Sequence, residues 1–259
     1  MVNKDNMYYI DSVLNGVNFS WDNTDDDDEL EYYLVFMLLF EDLYHTYSTK
    51  TTDYILKHVD DDVNNILKRV TDNTSKLNDQ YSKKITEIFD NVNIPKENIG
   101  KAKLDMNRCR YLIKEQKQTL INICNELKGQ IKSTIYYIKN RNEKEDAFKL
   151  DPIFNRVVYR LKKMVSSGVQ SANDNAVRES YGFLYGNPLV NIVTKHDDKV
   201  CDVCRALEGD NPYFLLSAPV LPVHAQCRCH IETVDGKGIT QLSLTDEASK
   251  LRYYSIGGG

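Results

Sequence analysis

Glycine and proline are scarce in this chain, 12 and 6 of 259 residues. That scarcity argues against a turn-rich architecture and for long regular elements. Long apolar runs are missing as well. The longest, "YYLVFMLLF" from Tyr32 to Phe40, is 9 residues, against the ~20 that a bilayer-crossing helix requires. Acidic residues flank it, so it reads as a buried helix segment and no membrane partner is expected. The opening "MVNKDNMYYIDSVLNG" has no basic region followed by an apolar run, so no secretory leader is expected. A reducing, cytosolic origin follows from this reading, and there clustered cysteines favour metal over disulfide.

Apolar residues make up 41% of the chain and charged residues 27%. That is ordinary for a folded soluble protein, and the length suits one large domain or two small ones. The 17 tyrosines, with abundant Asn, Lys, Asp and Ile, read as the bias of an AT-rich genome rather than as a mechanism. The net charge of −5 conceals an asymmetry. Residues 1–62 hold 15 acidic and 3 basic residues, whereas Lys101 to Gln170 holds 16 basic and 7 acidic. Such a division suggests polar docking surfaces, one of which could face nucleic acid; a solvated helix surface is the plainer reading.

The first 29 residues show no periodicity and end in the acidic block Asp25 to Glu29, suited to the first turn of a helix. From Leu30 to about residue 180 the apolar period is helical. Ile55, Val59, Val63, Ile66, Leu67 and Val70 form one stripe. Leu77, Tyr81, Ile85, Ile88, Phe89 and Val92 form a second, and Leu120, Cys124, Leu127, Ile131, Ile135 and Ile138 a third. Pro95 separates the earlier segments from the later ones. "NRNEKED" is a polar break, and Asp151-Pro152 opens a last helix expected to reach about Arg178. Three or four long helices result, packed as a bundle or extended as a stalk. Cys109 and Cys124 lie within them as buried structural thiols.

After Gly182 the texture changes. "LVNIVTKH" reads as a strand, "CDVCRALEG" as a turn into a short helix, and "CRCHIETV" as a second strand. The expected fold class is therefore α+β: a long, mainly α-helical region over 30–180 and a small α+β zinc-stapled module over 181–235. An irregular acidic segment (1–29) precedes them and a tail (236–259) follows.

That module holds four of the six cysteines. The spacing is Cys201-x2-Cys204, then 19 residues, then His224-x2-Cys227-x-Cys229. A C-x-x-C turn brings two thiolates onto one ion, and a second pair completes a tetrahedral zinc site. The second pair is His224 with Cys227, or Cys227 with Cys229, which on a strand would share a face. Five candidates thus compete for four places. Pro219 and Pro222 would stiffen the approach to the second pair. A small module buries little core, so a metal staple makes physical sense. Four protein ligands leave no open position for water, so the expected role is structural.

The other histidines are weaker candidates. His45 and His58 sit in helical sequence with packing or solvent roles, and His230 falls on the strand face opposite Cys229. Known catalytic signatures do not fit. There is no H-x-E with P-C-x-x-C, no P-loop, no G-x-S-x-G and no H-E-x-x-H. A zinc-scaffolded nuclease would need His196, His224 or His230 as base with Asp197 or Asp198. Arg178 and Glu179 read as a helix-surface ion pair or a domain-junction contact rather than an active-site pair.

The stretch "TKHDDKVCDVCRALEGDNPYF…PVLPVHAQCRCHIETV" resembles the C-terminal domain of phage Mu protein F-like minor head proteins, also called head-morphogenesis proteins. The resemblance covers about residues 170–234 and is carried by Asp197, Cys201, Cys204, Leu207, Gly209, Pro222, His224, Cys227, Arg228 and Cys229. Arg178 and Glu179 are similar, more loosely, to the family's upstream helix motif. Ala225 and Gln226 stand where the family has Pro and Asn. The resemblance implies a non-enzymatic virion component, present in few copies near the portal. Its partners would be the portal or major capsid protein; the basic stretch Lys101 to Gln170, by its charge, adds double-stranded DNA bound without sequence preference. Its roles would lie in head assembly and DNA packaging or ejection, in the phage head and in the host cytoplasm during assembly. A small nuclease and an intracellular zinc-knuckle adaptor are the alternative readings.

Overall fold

The computed structural model describes residue 17 and residues 27–91, 107–224 and 227–234. Most of the segment expected to be irregular at 1–29, the Pro95 break and the 236–259 tail lie outside the described residues. The described chain is mainly helical with one small sheet, in the order α1 (Asp27–Ser48), α2 (Thr52–Thr71), α3 (Lys76–Asn91), α4 (Asn107–Asn140), α5 (Asp151–Tyr185), β1 (Leu189–Val193), α6 (Asp202–Gly209), β2 (Tyr213–Phe214) and β3 (His230–Thr233). It forms two compact units, Met1–Lys76 with Lys114–Val165 and Leu77–Ile113 with Ser166–Gly259.

In the first unit, α1 starts within the acidic block. Phe36, Met37 and Phe40 of its apolar run are buried while Leu38 faces out. The α2 helix begins where Thr51 accepts a hydrogen bond from the Tyr54 amide at 3.3 Å, a side-chain N-cap. It buries Ile55, Val59, Val63, Ile66 and Val70, all from the expected stripe. The third stripe is buried along α4 from Leu120 to Ile138. Polar ties join the helix ends. The Tyr44 hydroxyl donates to Asp151 at 2.8 Å, that of Tyr47 to Asp62 at 2.9 Å, and that of Thr52 to Glu145 at 2.7 Å.

The second unit holds the sheet. Its order is β2-β1-β3, and β1 runs antiparallel to both neighbours, with Leu189 opposite Phe214 and Ile192 opposite Ile231. Strand periodicity sends Val190, Ile192 and Ile231 inward, where they share one core with Tyr81, Ile85 and Phe89 of α3 and Ala176, Val177 and Leu184 of α5. The small sheet therefore draws most of its apolar partners from helices.

Three features differ from the sequence expectation, the first being that the described residues form five long helices, α1 to α5, in place of three or four. The last long helix continues past Arg178 to Tyr185, because Leu184 extends its buried stripe. It ends where Gly186 takes φ 74°, the left-handed conformation that glycine adopts without a Cβ penalty. The sheet also has a third strand, β2. Beyond its two residues the side chain of Asn211 takes over the pairing. Its amide nitrogen donates to the Ile192 carbonyl and its oxygen accepts from the Ile192 amide, both at 2.8 Å.

Candidate metal centre

Five side chains converge in the second unit. Cys201 is the N-cap residue of α6, in extended conformation, and Cys204 is buried in that helix's first turn. A C-x-x-C pair at a helix start places both sulfurs on one side. The second half arrives on the segment before β3, where the Cys227 amide bonds the His224 carbonyl at 3.2 Å. His224 Nε2 lies 3.1 Å from the sulfurs of both Cys201 and Cys204, and Cys204 Sγ lies 3.8 Å from Cys227 Sγ.

Two trios result, Cys201–Cys204–His224 and Cys204–Cys227–Cys229, with the ligand atoms of each within 4.8 Å of one another. Cys204 belongs to both. These groups lie close enough to hold a metal ion, and their donors, thiolate sulfur and imidazole nitrogen, suit zinc and other borderline-soft ions. Cys204, Cys227 and Cys229 are buried, Cys201 is half-buried and His224 is exposed. Both trios draw on the five expected residues, and the geometry leaves open which four would bind.

The electrostatics are uneven. The backbone N–H of Cys204 is the main influence holding the Cys201 thiol below its ordinary range, with His224 helping. Burial pushes Cys204 up to about 11. Cys227 is held low chiefly by the hydrogen bond from the Cys229 side chain, and Cys229 is pushed up by that same bond and by burial. Metal binding in such a cluster exchanges protons for the ion.

The remaining candidates lie elsewhere. Cys109 and Cys124 are buried in α4, and desolvation raises their thiols to about 11 and 12. They are protonated packing residues, as expected. His196 Nε2 is 3.0 Å from Glu208, and His230 Nε2 is 2.8 Å from Glu232, both histidines exposed. Neither joins a metal trio among the described residues. His45 and His58 are helical, the former exposed. Asp197 forms a two-pronged pair with Arg228, both contacts at 2.6 Å. That pair anchors the turn before Cys201 to the residue between Cys227 and Cys229.

Of the two readings of Arg178, the junction contact holds and the helix-surface pair with Glu179 does not: both residues are buried, Arg178 Nε bonds Asp174 at 2.7 Å, and its terminal nitrogens reach carbonyls of the loop after β2. Adjacent helical residues diverge by about 100°, whereas residues four apart share a face. Sequence reading missed Asp174 and also Gln170, whose side-chain amide donates to the Cys229 carbonyl at 2.6 Å. Their trace in the sequence is faint, because Ser171, Asn173 and Asn175 beside them are polar as well.

No family profile, no curated protein and no solved structure matches the chain. Any functional reading therefore rests on the residues of the cluster and their order along the chain.

Proposed function

We propose that the chain is a non-enzymatic phage minor head protein whose C-terminal cluster holds a structural zinc ion. The observation that carries this reading is the meeting of the two halves of the motif. Cys201 and Cys204 precede His224, Cys227 and Cys229 by some twenty residues of sequence, yet both trios share the Cys204 sulfur. The order of these residues is that of the Mu protein F-like domain, down to the Cys227-Arg228-Cys229 end. Zinc held by four of the five would supply a cross-link and no reaction chemistry. This chain's residues would use it to tie the start of α6 to the segment entering β3. The helical region would dock on the portal or capsid interior, and the basic stretch of α4 and α5 would tolerate or contact packaged DNA. Among the described residues no helix is long and apolar enough to cross a membrane.

The test is quantitative mass spectrometry of purified particles from the source. A fixed low ratio of this chain to the main capsid protein, retained through a density gradient, is expected. Absence from both mature particles and immature heads would sink the reading. Metal-dependent cutting of plasmid DNA that disappears in His224→Ala would replace it with a nuclease.

A further inference from the structure

The buried ion pair on α5 calls for a reason. The side chains of Arg178 and Asp174 are 6% and 2% exposed. A buried pair of this kind is a poor source of stability compared with apolar residues of the same volume. What it supplies is direction, because a guanidinium offers its donors in a fixed planar fork.

Both terminal nitrogens of the fork reach into one loop. Arg178 Nη1 donates to the carbonyls of Leu215 at 3.0 Å and Ala218 at 3.2 Å, and Nη2 to that of Pro219 at 2.6 Å. Asp174 Oδ2, which receives the Arg178 Nε bond, also accepts the Leu221 amide at 3.3 Å. Both members of the pair therefore grip the stretch Leu215 to Leu221, which ends three residues before His224. On the far side, Gln170 holds the Cys229 carbonyl at 2.6 Å. Gln170, Asp174 and Arg178 are spaced four apart and share one face of α5.

We infer that this polar stripe of α5 is the positioning scaffold for the second half of the metal site. The segment from Leu215 to Cys229 carries His224, Cys227 and Cys229, and the stripe fastens it at both ends through backbone groups. The first half, Cys201 and Cys204, is carried separately by α6. The stripe sets where the second half meets the first, so it governs metal affinity through other residues. This inference rests on the metal reading above.

Its test uses the full chain with Co2+ as the probe, titrated by its thiolate charge-transfer and d–d absorption, and hydrogen exchange at the Leu221 amide. The variants are Arg178→Lys, which keeps the charge but not the fork, and Gln170→Met, which keeps the volume. Ile88→Val is the control, since it thins the core of the same unit without removing a polar contact. Arg178→Lys and Gln170→Met are each expected to weaken Co2+ binding roughly 10–100-fold, the range for residues that orient metal ligands, and to alter the d–d bands. Arg178→Lys is also expected to speed exchange at Leu221. Ile88→Val should leave affinity and spectrum in place. Parent-like affinity and spectrum in both stripe variants would overturn the inference, as would an equal loss in the control. If the parent chain binds neither Co2+ nor Zn2+, the metal reading itself fails. The hold on the loop is then decided by exchange alone: faster exchange in Arg178→Lys retains it, and unchanged exchange removes it.

Discussion

Cys204 is the residue on which the candidate centre turns, since it is buried and common to both trios. Both trios use Cys204, so Cys204→Ser removes a ligand from each, and metal affinity is predicted to fall by at least about 100-fold, beyond the loss typical of a residue that only orients a ligand. Cys124→Ser, in the helical core, should leave affinity unchanged; an equal loss in both variants would show that the effect is general unfolding. Protons give a second prediction. Burial holds the Cys204 thiol at about 11, so at pH 7 it is protonated without metal and must ionise to ligate. Binding is then predicted to release at least one proton near neutrality and to strengthen as pH rises. Calorimetry in buffers of different ionisation enthalpy measures that release, and a buffer-independent enthalpy would contradict it. The candidate cluster was legible in the sequence because its signal is residue type and spacing, which the sequence states outright. The Gln170–Asp174–Arg178 stripe was not, because its bonds end on backbone carbonyls and amides, groups that every residue carries.

Secondary elements were legible where a repeating pattern extends over several turns. Over their described residues the three apolar stripes became mostly buried helix faces, with Leu67 half-buried and Val92 outside the described residues, because a period of 3.6 residues leaves few alternatives over several turns. Element ends were harder, since a single backbone conformation decides them. The α5 stop is the case in point: Gly182 lies inside the helix and Gly186, at φ 74°, ends it. Gly186→Ala would put a Cβ into the left-handed region, and a loss of about 1–2 kcal/mol is predicted; Gly182→Ala carries no such backbone penalty. Urea unfolding separates the two, and equal midpoints for parent and Gly186→Ala would contradict this account of the helix end. The β2 strand was invisible for a different reason. Two residues show no alternation, and the pairing beyond them comes from the Asn211 side chain, which reads in sequence as an ordinary turn residue.

For the molecule as a whole, the charge asymmetry is partly resolved by the fold of the first unit. Lys132 pairs with Asp60 at 2.5 Å, Lys139 pairs with Asp53, and Arg156 and Arg160 both meet Glu126. The acidic head and the basic middle thus meet across α2 and α4. Some of the 16 basic residues between Lys101 and Gln170 consequently answer protein carboxylates. Exposed pairs of this kind contribute about 0–1 kcal/mol each, so a DNA phosphate can compete for the cation. If the basic stretch contacts DNA, binding is predicted to be blind to sequence, measurable at roughly 50 mM salt and largely lost by roughly 200 mM, as counterion release requires. Asp53→Asn and Asp60→Asn together remove two competing carboxylates. The pair should therefore tighten duplex binding at low salt and steepen its salt dependence by up to about two phosphate contacts, at about 0.9 each in the log–log slope. Fluorescence anisotropy with a random duplex reads both quantities. Parent-like affinity and slope in the double variant would mean that the Lys132 and Lys139 face is not where DNA is met, and no binding even at low salt would remove DNA as a partner of this surface.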